Sequence, residues 1–194
     1  MSQSVDVVIA SFGEDLRWIS WLPISWVPHV YCTKEARTDL PEGTTMLPNL
    51  AREAGQYVEH IVRNYDTLAD VTLFLQGMPF DHCPKSVAEL FMTGDMPHPI
   101  CYIGAHVPTP SWTHGKPFFK DCLAMLQKAY QGEEIGDVIP FSVGAQFYVK
   151  REVIQAQPLN FYTRLLDAIY STPGAAHLIE GNWGAVFPWR QFIK

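Results

Sequence analysis

The chain has 194 residues, 47% of them hydrophobic and 18% charged, a balance that excludes a disordered polymer and suits one domain with a sizeable core. The formal net charge of −6 leaves no global basic footprint, which argues mildly against a nucleic-acid acceptor without ruling out a local patch. Four cysteines (Cys32, Cys83, Cys101, Cys122) stand far apart with no C-x-x-C pair, so a zinc knuckle is not expected. Reduced thiols in a cytoplasmic protein are the default reading.

The opening MSQSVDVVIASF lacks the basic start and long apolar core of a signal peptide. No apolar run reaches membrane-spanning length. Val5 to Ala10 is apolar throughout and predicts a central parallel strand. Ser11 to Asp15 makes the turn after it, and Leu16 to Leu22 a short helix that packs down. Such an opening brings Ala10, Ser11 and Phe12 beside a nucleotide, although every α/β protein has turns of this kind. Val27 to Cys32 predicts a second strand. In the polar loop after it, Lys34 and Arg37 are the basic residues nearest a phosphate; solvated loop charge is the commoner explanation for both.

The stretch from Met46 to Cys83 organises the rest. A loop ends at Asn49. Ala54, Tyr57, Val58, Ile61, Val62 and Tyr65 then recur at helical spacing, an apolar stripe that packs on a sheet. Asn49 is a good N-cap, and Glu53 suits a positive helix end. Arg52 does not suit that end, unless it pairs with a carboxylate or a bound phosphate. DVTLFL, from Asp70 to Leu75, predicts a strand covered on both faces, and Gln76-Gly77 breaks it. Ligands in open α/β sheets bind beyond the carboxyl ends of the strands. Gln76, Asp81 and His82 fall there, and Asn49, Arg52 and Glu53 face the same crevice.

Val87 to Thr93 predicts a short helix and Ile100 to Ala105 a strand. The long aperiodic loop that follows offers His106, Trp112, His114 and Lys116 to a sugar or acceptor pocket. Phe119 to Gln131 predicts a helix, Gln146 to Val149 a strand, and Leu159 to Tyr170 a helix. Ser142 to Ala145 is a small-residue turn where a ligand can come close. Glu180 is a lone acid in an apolar segment, which needs a partner or a task, and is the first candidate for a base.

Three blocks, VVIASFGEDLRWI, LPNLAREAGQYVEHIVRNYDTLADVTLFLQGMPFDH, and FSVGAQFYVKREVI with HLIEGNWGAVF, resemble an uncharacterised family known only as a domain of unknown function. The order of strand, N-x-x-R-acid helix, G-A-x-F strand and final H-x-x-E helix is more distantly similar to GT-A glycosyltransferases of the rhamnan-synthesis type. That resemblance implies a single α/β domain over residues 1–194, GT-A-like and Rossmann-like, with a mostly parallel sheet flanked by helices. It implies a sugar moved from a nucleotide-sugar donor to a hydroxyl of a glycan, a small metabolite or a nucleobase. The donor side then comprises Ala10, Ser11, Phe12, Lys34, Asn49, Arg52 and Gln76. The acceptor side comprises Gly144, Ala145, Gln146, His177 and Trp183. Glu180, Glu53 and Asp81 become the catalytic candidates. The chain departs from that pattern at Gln76-Gly77, where such enzymes carry D-x-D for a metal. It departs again at Gly181, where they carry Arg. Any divalent ion, manganese or magnesium, therefore falls to Asp81 and His82.

Two other readings are a hydrolase built on Cys83 and His82, and a non-catalytic carbohydrate- or protein-binding module on a degenerate transferase fold. Adjacent loop residues rarely face each other, which weighs against the first. An aromatic content of 13% fits a homodimer interface as well as a rich core.

Overall fold

The computed structural model describes residues 3–34, 37–81, 83–103, 106–107, 141–142, 145–180 and 182–187. The predicted helix at Phe119 to Gln131, and Trp112, His114 and Lys116, lie outside them, as do His82, Gly144 and Gly181.

A six-stranded mixed sheet forms the centre. β1 (Val5–Ser11), β2 (Trp26–Cys32), β3 (Thr45–Met46) and β4 (Val71–Gln76) run parallel in the order β3-β2-β1-β4. β5 (Ile100–Tyr102) completes the far edge, and β8 (Phe147–Lys150) lies between β4 and β5, antiparallel to both. A separate antiparallel pair joins β6 (His106–Val107) to β7 (Phe141–Ser142).

Alternation along the strands builds two apolar layers. Val8, Phe74 and Phe147 face one side, where they meet Tyr57, Val58 and Ile61 of helix α1 (Arg52–Asn64). α4 (Leu159–Ser171), α5 (Ala175–Glu180) and α6 (Trp183–Val186) complete that layer. Val7, Ile9, Leu73 and Leu75 face the other side, covered by the 3-10 turn Arg17–Trp21 and by α2 (Pro84–Thr93). α3 (Arg151–Ile154) follows β8 directly.

The strands and helices of the core fall where the apolar patterns predict them. β4 is buried at every position but its last, as a strand covered on both faces must be. Between the helices, one approach is close enough to require glycine. A Cβ on Gly55 would stand 2.9 Å from the Tyr170 ring of α4, so that residue sets the distance between α1 and α4.

One expectation is corrected. Asn49 does not cap α1: the N-cap is Ala51, whose side chain has no oxygen to offer, and the helix begins at Arg52 in a left-handed conformation with φ +47°. The mostly parallel sheet is present as expected, made mixed by one strand: β5 points the same way as β4, and β8 alone runs against its neighbours. Among the described residues no helix is long and apolar enough to cross a membrane.

Candidate functional site

From β1 the chain steps outward through β2 to β3, then crosses over α1 to β4 on the other side of β1. The crossovers thus leave β1 in opposite directions, and a crevice opens where they part, beyond the carboxyl ends of β1 and β4. Ala10 and Gln76 are register partners at that point. A cavity of about 400 Å³ lies over them.

Four pieces of chain supply its walls. β1 and its turn contribute Ala10, Ser11, Phe12 and Glu14. Thr33 follows β2. Asn49, Arg52, Glu53 and Gln56 come from the entry to α1, and Gln76, Met78 and Asp81 from β4 and its loop. Of the predicted residues, Ala10, Ser11, Phe12, Asn49, Arg52, Glu53, Gln76 and Asp81 are brought together. Lys34 is not on the wall; it is exposed, with its Nζ 5.7 Å from the centre of the Phe12 ring.

The α1 end of the cavity carries stored strain. Left-handed backbone at a non-glycine residue costs on the order of 1 kcal/mol and persists where surrounding structure holds it. Arg52 is such a residue. One turn further on, Gln56 is buried, and its Oε1 has no hydrogen-bond partner among the described residues.

Sequence reasoning missed Glu14, on whose carboxylate three donors of the turn converge. Its Oε2 accepts from the Phe12 N–H at 2.7 Å, the Gly13 N–H at 2.9 Å and the Ser11 hydroxyl at 3.1 Å. Burial alone would raise this carboxyl. The N–H groups of Phe12, Glu14 and Gly13 and the Ser11 hydroxyl outweigh it and hold the group below its ordinary value. The signal was an acid two residues past a turn, which also reads as loop charge. Gly77 leaves the room that this carboxylate occupies, and its carbonyl accepts the Trp18 indole N–H at 2.7 Å.

The predicted acceptor residues have other places. Gln146 is fully buried, donating from Nε2 to the Pro79 carbonyl at 3.1 Å and to Cys83 Sγ at 3.0 Å. It ties the β4 loop to the start of β8 and does not line the cavity. Ala145, with φ +47°, is buried beside it. Trp183 is buried among Tyr57, Phe147 and Phe187, stacked on the last at 6.2 Å. His177 lies on α5. Glu180 ends α5 and, like Glu53, acts electrostatically on the buried Tyr57 hydroxyl. Burial first, then these two carboxylates, push that hydroxyl well above its ordinary value.

Cys83 is the N-cap of α2; its thiol donates to the Ile103 carbonyl at 2.9 Å, and burial raises it. A buried thiol shifted upward is a poor nucleophile. Among the described residues no three His, Cys, Asp or Glu side chains converge as a metal-binding group.

Fold and site together describe an α/β protein whose polar crevice sits at the point where its parallel crossovers diverge. Residues 7–89, the stretch that contains every wall of the cavity, match the model of a family described as protein of unknown function (DUF3431). No curated protein matches the chain.

Proposed function

We propose that the protein is a glycosyltransferase that moves a sugar from a nucleotide-sugar donor to a hydroxyl acceptor, with the cavity over Ala10 and Gln76 as its donor site. The observation that supports this reading is the convergence of β1, β4 and the strained start of α1 on one cavity at the switch point of the parallel strands.

Transfer of a glycosyl group leaves a diphosphate whose growing charge must be met. Arg52 is the cation on the wall that can meet it. Magnesium-type sites use one or two carboxylates plus substrate phosphates, and Asp81 fits that donor role with His82 beside it in sequence. A divalent ion held there would neutralise the leaving phosphates. Glu53 on the wall would orient an acceptor hydroxyl; Glu180, which acts electrostatically on Tyr57 of the same helix, is not among the wall residues.

A second reading, a carbohydrate-binding module on a transferase-like frame, draws on the break after β4, where Gln76-Gly77 stands and Gly77 packs on Glu14. A thermal-shift screen of UDP, GDP, dTDP and CDP with their sugars, each with manganese, magnesium or chelator, separates the two. The transferase reading expects a rise in Tm with one nucleotide and release of that nucleotide once an acceptor is supplied. Sugar binding without any nucleotide effect would overturn it in favour of the binding module.

A further inference from the structure

We propose that Glu14 decides what the β1 end of the cavity accepts: it fills the anion position of the turn with the chain's own carboxylate, so phosphate is turned away and the hydroxyl-bearing part of a ligand is received. Successive backbone N–H groups aimed at one point after a strand make an anion-binding concavity. Here the N–H groups of Phe12 and Gly13 and the Ser11 hydroxyl are aimed at a single atom, Glu14 Oε2, between 2.7 and 3.1 Å away. Those donors are used, and a fixed negative charge stands where a second anion would have to sit.

Gly77 is part of the same arrangement. A side chain there would begin 2.7 Å from Glu14 Cδ, so the strand end leaves open the space that the carboxylate takes. The shifted titration of Glu14 keeps it ionised through the neutral range. An ionised carboxylate only accepts hydrogen bonds, so a ligand group meeting it must present O–H or N–H. Phosphate is left with the start of α1, where Arg52 stands. The resulting orientation of a nucleotide sugar, phosphates toward Arg52 and hydroxyls toward Glu14, rests on the transferase reading. The exclusion of anions from the turn does not.

The test is a titration of the full chain with inorganic pyrophosphate, followed by the amide NMR signals of Phe12 and Gly13. In the wild type these two signals stay in place. In E14A they shift saturably, with affinity at the turn higher by about tenfold or more, the scale of a charge-assisted hydrogen bond gained. E14S serves as a second variant if E14A does not fold. Saturable movement of the two signals in the wild type overturns the inference whatever the variants do, and so does a folded variant whose turn ignores pyrophosphate. The same samples titrated with nucleotide sugars keep the two proposals apart. A variant that gains pyrophosphate while no nucleotide sugar binds leaves the turn assignment standing and removes the transferase.

Discussion

The carboxylate of Glu14 occupies the space in which a side chain at Gly77 would begin. Glu14 Cδ lies 2.7 Å from the ideal Cβ position at residue 77, and both residues are held from elsewhere, Glu14 by the turn N–H groups and Gly77 by Trp18. The end of β4 and the turn after β1 are thereby fitted to each other across the floor of the cavity. G77A is expected to lower stability by about 1–3 kcal/mol, the usual scale of overpacking. Adding E14A should recover part of that loss. Thermal unfolding of the two single variants and the double variant gives the coupling, and strict additivity would contradict the contact.

Arg52 separates stability from binding. Its φ of +47° suits glycine, so R52G removes backbone strain while it removes the guanidinium. Stability should stay level or rise by about 0.5–1 kcal/mol. Binding of any phosphate-bearing ligand should fall by about tenfold or more, the scale of a charge-assisted hydrogen bond lost. R52K keeps the charge and should retain part of the affinity. Denaturant titration and calorimetric binding read the two effects independently.

Acid should destabilise the fold through His60. This residue is buried on α1; its Nδ1 meets the Tyr31 hydroxyl at 3.1 Å and the Asn64 amide at 3.3 Å. The Asn64 amide N–H can only donate, so Nδ1 accepts, and Nε2 has no hydrogen-bond partner among the described residues. Burial first, and then the neighbouring His29, push its pKa down from 6.5 to about 3, against a smaller opposing pull from Asp6. The unfolded chain therefore takes up a proton that the folded chain refuses. The stabilising contribution is fully present above pH 6.5 and is lost as pH falls from there toward 3. Asp6, held below its ordinary value of 3.8 despite burial by His29 and the Ala69 N–H, adds a loss of the same sign at lower pH. Tm measured from pH 7 down to pH 4 should drop, and H60N should flatten the upper part of that slope. An unchanged slope in H60N would assign the acid sensitivity elsewhere.

Gln146 should behave as a structural residue. Q146A strands the Pro79 carbonyl and empties a fully buried site, an expected loss of about 2–4 kcal/mol. Once the variant is folded at low temperature, ligand affinity at the cavity should change little. A large loss of affinity with intact stability would restore Gln146 to the ligand.

The framework was legible because its residues obey local rules. The alternation of β1, the continuous burial of β4 and the stripe on α1 each depend on a few neighbours in sequence. Most of the cavity was legible too, because the carboxyl end of a parallel strand and the start of the next helix must meet at a switch point. Glu14 was missed because its role depends on the absence of a side chain at Gly77, sixty-three positions away. Asn49 was misread as a cap because a left-handed Arg52 postpones the helix, and no pattern of residue types announces that. Gln146 and Trp183 stand beside the motif residues as acceptor candidates in the sequence, while burial places one under the β4 loop and the other in the aromatic core. The acceptor assignments at Gly144 and His177, and the metal assignment at His82, fall on positions or side chains outside the described residues.

The reversed direction of β8 has a further consequence. Phe74, Phe147 and Tyr102 stand side by side in the sheet, so β5 ends and β8 begins on the same margin where β1 and β4 finish. Ile103 therefore leaves the sheet, and Ala145 re-enters it, on the margin where the cavity opens, and between them in sequence β6 pairs with β7.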